Sequence, residues 1–121
     1  MEPLFDRNVE LVGWIQDREN IFDLNINWVA FVSNNNVFSS KTLKWLGPIN
    51  GFNCLDTRGK IVAWNPDYDI EGSLSPLKPL QPLRPLTPLT PLRPLTPLKP
   101  LRPLTPLSGW SNLSFKSWLT E

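Results

Sequence analysis

The chain of 121 residues has no histidine, one cysteine, one tyrosine and one methionine. Without histidine, Ser-His and Cys-His nucleophile pairs are impossible. Cys54 alone closes no internal disulfide and offers no metal-ligand spacing. Glycine is scarce and forms no phosphate-cradling loop. No apolar run approaches the length of a membrane span, and no apolar h-region follows the acidic Met1-Glu2-Pro3 start. These absences lead us to expect a soluble protein of a reducing compartment, the cytoplasm, with no catalytic residue, no metal, no cofactor and no enzymatic activity. A carboxylate pair assembled from distant residues is the one catalytic arrangement the composition leaves open.

Proline, by contrast, is abundant, and most of it lies in one stretch. From Pro76 to Ser108 the chain reads as eleven unbroken Pro-Leu-x triplets. Proline every third residue fixes φ, removes every third donor and pushes the preceding residue to extended geometry. Helix and central strand are excluded, which leaves polyproline II with its three residues per turn. Each triplet position then forms its own face. One face is all leucine: Leu77, Leu80, Leu83, Leu86, Leu89, Leu92, Leu95, Leu98, Leu101, Leu104 and Leu107. Another carries polar x residues, including Arg84, Arg93 and Arg102. Stiff proline-rich linkers are common, yet a row of leucines left in water would each forgo about 1.5–3 kcal/mol. A packed leucine face is therefore favoured over a bare linker. Collagen is excluded because glycine does not occupy every third position.

Length and charge constrain how the tract packs. Thirty-three residues of polyproline II span about 100 Å, whereas a compact chain of this size has a radius of gyration near 14 Å, by rough scaling. The rod either bends around its own body or is buried by other copies. Residues 1–75 carry six Lys/Arg against ten Asp/Glu, while 76–108 carry five Lys/Arg and no acid. An acidic body beside a basic rod favours docking of one on the other, within a chain or between chains.

The body holds a repeat. Leu4-Phe5-Asp6, Ile21-Phe22-Asp23, Val37-Phe38-Ser39 and Cys54-Leu55-Asp56 begin 17, 16 and 17 residues apart. Each leads through a polar turn to a second apolar segment with a small residue at Gly13, Ala30, Gly47 or Ala63. The third copy needs one extra residue in its turn. The period fits a two-stranded hairpin and is too short for a four-stranded propeller blade. Gly59 supplies a positive φ in the fourth turn, and Asn8 and Asn25 lie in the equivalent turns. Asp6, Asp23, Ser39 and Asp56 are expected to accept from nearby backbone N–H groups; a ring of metal-binding carboxylates is the weaker reading. Trp14, Trp28, Trp45 and Trp64 read as core rather than as a sugar-binding platform. After the tract, Ser111 is a plausible N-cap for a helix over 112–119, whose Phe115, Trp118 and Leu119 should clamp the segment onto the body.

The hairpin repeat, the Pro-Leu-x tract and the closing Gly109–Phe115 segment together resemble the 4-fold beta flower proteins. The resemblance covers nearly the whole chain and implies four β petals about an axis; it implies no activity. Ser39 and Pro48 depart from it in the third repeat. The fold expected is all-β: four repeated hairpins in pseudo-fourfold arrangement (1–75), a long polyproline II segment (76–108) and a short helix in a Trp-rich clamp (109–121), within one structural domain. The function expected is structural or assembly-forming, with the leucine row packed on the body or between subunits of a homo-oligomer. The alternative is a binding module presenting the basic face to a protein partner, since Pro79–Arg84 matches a PxxPx(R/K) ligand pattern that any such tract generates. No membrane contact is expected. Nucleic acid is disfavoured because the basic rod has no aromatic residues for base stacking.

Overall fold

The computed structural model describes residues 1–66, 88 and 109–120. The leucines and arginines singled out in the tract lie outside the described residues, as do the readings that depend on them. Eight strands follow the chain: β1 (Glu2–Phe5), β2 (Leu11–Gln16), β3 (Asn20–Asp23), β4 (Trp28–Ser33), β5 (Asn36–Ser39), β6 (Trp45–Asn50), β7 (Asn53–Leu55) and β8 (Ile61–Ala63). They form one antiparallel sheet in sequence order. The first and last strands then meet: Phe5 and Trp64 exchange both backbone hydrogen bonds at 2.9 Å. The sheet is thus a nearly closed barrel, and closure removes the exposed edges that invite strand addition. One short helix, α1 (Phe115–Leu119), follows. Among the described residues no helix is long and apolar enough to cross a membrane.

The repeat in the sequence is the hairpin of the structure. Leu4, Ile21, Val37 and Cys54 face Gly13, Ala30, Gly47 and Ala63 across the four hairpins. In every hairpin the register shifts immediately after that first apolar residue, at Leu4/Phe5, Ile21/Phe22, Val37/Phe38 and Cys54/Leu55. Such bulges sharpen the bend and twist that closing so small a barrel requires. Consecutive strand residues face opposite sides. The first of each pair is fully buried in the main core. The second faces the seams between hairpins, where Trp14 lies opposite Phe22, Phe31 stacks on Phe38 at 5.6 Å and Trp64 packs on Phe5 at 6.1 Å. The remaining seam has Pro48 where the others have an aromatic, and its pairing shrinks to Ile49–Cys54 and Asn50–Asn53. The third petal is irregular there, as Pro48 has no N–H to offer a ladder.

The barrel has two dissimilar ends. At one, Asp17 and Arg18, then Asn34 and Asn35, take paired positive φ values, the backbone of tight hairpin turns that match strand twist. Arg18 Nε donates across this end to the carbonyl of Gly51 at 3.0 Å, and Phe52 packs into the main core. The other end carries the repeated polar turns and receives the C-terminal segment.

Candidate functional site

The four polar turns share one construction. Asp6 Oδ1 accepts from the N–H groups of Asn8 and Glu10, Asp23 Oδ1 from Asn25 and Asn27, and Asp56 Oδ1 from Arg58 and Lys60, all between 2.8 and 3.0 Å. Ser39 Oγ does the same more loosely, at 3.3 Å to Lys41 and Thr42, in the turn that is one residue longer. These four residues are therefore turn-formers, as their types suggest. No group of three potential metal ligands occurs among the described residues. The positive φ falls at Val9, Ile26, Leu43 and Gly59, and not at Asn8 or Asn25. The asparagines instead donate their backbone N–H to the aspartate two residues earlier.

One turn differs from the rest in its surroundings. Asp56 is 6% exposed, and its second oxygen accepts from Ser111 Oγ at 2.7 Å. Ser111 is buried too, and its N–H donates to the carbonyl of Ile61 at 2.8 Å. Ile61 N in turn reaches the carbonyl of Gly109 at 3.5 Å, which makes a short parallel bridge of the C-terminal segment on β8. Gly109 turns the chain into this bridge at φ +82, with open space where a Cβ would stand. A hydrogen bond to a buried carboxylate is worth about 1.5–3 kcal/mol, so this contact is a principal fastener of the segment.

Ser111 is for that reason not the cap of the helix. Its backbone is committed to the bridge and its hydroxyl to Asp56, so the helix is Phe115–Leu119, capped by Ser114, whose Oγ accepts from Ser117 N at 3.1 Å. The expected helix over 112–119 loses its first turn to this long-range contact. The apolar clamp is as expected. Trp118 is fully buried, and its indole N–H donates to the carbonyl of Leu46 at 2.9 Å. Phe115 packs beside Trp118 with its ring against Gly13, where a Cβ would meet it at 3.1 Å. Val12, Val29, Leu46 and Val62, which hold the same place in the four hairpins, belong to the same core as these two rings. The helix thus plugs the barrel mouth and touches hairpins one, three and four. Against hairpin two it leaves an open groove of about 410 Å³, lined by Leu24, Val29, Lys41, Lys116 and Leu119 among others.

Four petals of one construction, closed about a plug, describe a flower-shaped barrel. The sequence profile described as "4-fold beta flower protein" matches residues 2–119, nearly the whole chain. The chain belongs to the 4-fold beta flower family. The match spans the petals, the tract and the C-terminal plug, so the plug is part of the beta flower and not an appendage. No curated protein and no solved structure matches the chain. The family description names a shape and no activity.

Burial pushes the Cys54 thiol up to about 12, so it stays protonated and unreactive. Ser111 donates its hydroxyl to the Asp56 carboxylate, a buried bond that holds the C-terminal segment on the barrel. Trp14 and Trp64 are core residues as expected; Trp28 and Trp45 are only half-buried, because they begin their strands at the rim. The Asp56–Ser111 contact and the Leu46 carbonyl are features that sequence reasoning did not find. The three aspartates look alike in the repeat, and only the fold shows which of them meets a serine fifty-five residues away.

Proposed function

We propose that this beta flower is a non-enzymatic structural or assembly protein of the cytoplasm, with the leucine face of its polyproline II tract buried on the body or between subunits of a homo-oligomer. One observation carries the reading: the chain is anchored to the body on both sides of residues 67–108. Before them, Asn65 is fully buried, accepting no freedom from its neighbours: its N–H donates to Asn53 Oδ1 and its side-chain amide to the carbonyl of Pro3. After them, Gly109–Trp118 is fastened by the Ser111–Asp56 and Trp118–Leu46 bonds. A tract meant for free display needs only one anchor. Two anchors, with leucines along the whole length between them, favour a packed role.

Leu89→Asp together with Leu92→Asp tests the reading, because each places a charge among apolar groups if the row is buried. The double variant should sediment at lower mass than wild type if the row lies between subunits, and should lose stability if it lies on the body. Unchanged mass and unchanged stability would remove the packed-row reading. Changing Arg84, Arg93 and Arg102 to Ala should leave assembly intact; loss of a captured protein partner on that change alone would favour the display alternative.

A further inference from the structure

We propose that the groove between α1 and hairpin two binds a small amphipathic anion, an aliphatic chain ending in a carboxylate. The repeat shows that this quarter of the barrel mouth lacks a cover. Val12, Val29, Leu46 and Val62 hold one place in the four hairpins. Leu46 and Val62 are buried, whereas Val12 and Val29, which line the groove, are only half-buried. Leu119 from the helix and Leu24 from the second turn extend the same apolar surface, and Leu24 is 45% exposed. The groove holds about 410 Å³, inside the ~300–1,000 Å³ usual for small-molecule sites.

The polar side of the groove selects the sign of the charge. Lys41 and Lys116 both line it and both are exposed. Ser39 lines it too and is 3% exposed. Its oxygen accepts from the N–H groups of Lys41 and Thr42, and no acceptor for its own proton stands among the described residues. A buried hydroxyl with its donor unspent suits an incoming oxygen. The equivalent positions of the other hairpins hold Asp6, Asp23 and Asp56. Hairpin three has thus exchanged a carboxylate for a donor beside two lysines. Lys41 stands where the first two turns have Asn8 and Asn25. The one carboxylate among the described lining residues is Asp23, and its own turn engages it: Oδ1 accepts from the N–H groups of Asn25 and Asn27, and Oδ2 from Asn27 Nδ2. Two ammonium groups against one carboxylate leave the lining positive. A carboxylate head at Lys41, Lys116 and Ser39, with its chain along Val29, Leu24 and Leu119, matches both sides of the groove.

Sodium decanoate, kept below the concentration at which it self-associates, is the probe, and full-length protein labelled with heavy nitrogen is the reporter. Titration should give saturable shifts in the amide signals of Val29, Ser39, Lys41 and Lys116. Lys41→Glu with Lys116→Glu should weaken binding by about ten-fold or more, because two charge-assisted contacts become repulsive. Ser39→Asp, which restores the acid of the repeat, should weaken it in the same direction. Decanol, the same chain without the charge, should bind at least about ten-fold more weakly than decanoate. Urea midpoints of the variants separate lost binding from lost fold, and Lys41→Gln with Lys116→Gln replaces the double glutamate should that one not fold. Decanoate that fails to saturate overturns the proposal, whether the leucine row already fills the groove or the groove takes no anion. Shifts that map elsewhere, binding untouched by the lysine changes, or decanol bound as tightly overturn it too. A fall in sedimenting mass on the lysine changes alone, without decanoate, would give this face to contacts between copies and would equally overturn it.

Discussion

Val9 and Ile26 occupy the left-handed φ that Gly59 fills in the fourth turn. A β-branched residue there costs about 1–2 kcal/mol. Ile26 offsets the cost by burial against Trp14 and Phe22, whereas Val9 is half-buried. We expect Ile26→Gly to destabilise by about 2–3 kcal/mol and Val9→Gly to fall within about 1 kcal/mol of neutral, as burial outweighs strain only at the first. Urea midpoints of the two variants check this; equal losses would refute the assignment. These sites were illegible in sequence because valine and isoleucine are strand residues by type, and only their packing keeps them in a turn. Gly47 is a second exacting position: its φ is +143 and a Cβ there would overlap the Leu55 carbonyl. Gly47→Ala should cost more than Ala30→Gly, which adds backbone freedom and removes one buried methyl, about 1–2 kcal/mol together. Cys54 adds a pH dependence. Its folded pKa is raised to about 12 from 9.0. The unfolded chain therefore loses this proton first, and the folded chain keeps it. The cysteine's contribution is fully present below pH 9 and is lost as pH rises toward 12. Cys54→Ser should flatten that alkaline decline, and a thiol reagent at pH 8 should label wild type only after denaturant is added.

The four hairpins were legible because each repeats an apolar pair, a polar turn and a small residue at one spacing. Their bulges were not, since the extra residue of a bulge leaves no mark in a repeat that carries it every time. The start of α1 was hidden for a different reason: Ser111 has the type of a cap, and its engagement by Asp56 is a contact across fifty-five residues. That engagement ranks the turns. Asp6→Ala and Asp23→Ala each remove bonds from one exposed turn and should cost about 1 kcal/mol. Asp56→Ala also leaves Ser111 buried without its acceptor and should cost about 2–4 kcal/mol. Thermal or urea melts of the three single variants give the order, and a weakest effect at Asp56 would contradict the fastening role. Trp118→Ala should cost about 3–5 kcal/mol as a cavity opens under the plug. Ser111→Ala should couple with Asp56→Ala and add little to it, the mark of two residues in one bond.

At the scale of the whole molecule, the barrel comes from repetition and its closure comes from single features. Phe5 and Trp64 join the first strand to the last, Arg18 ties one pair of turns across the far end, and one helix fills the mouth. A fourfold body with one plug raises a question of orientation. If the four petals were identical, the plug could sit in any of four quarter-turn settings, a degeneracy worth RT ln 4, about 0.8 kcal/mol, and the ensemble would be mixed. Departures from symmetry lift that ambiguity. Ser39 cannot stand in for the Asp56 carboxylate, and Ala30 and Ala63 put a methyl where Gly13 makes room for Phe115. The imperfections of the repeat act as an address, written in a serine, a glycine and two alanines, that tells the plug which way to face.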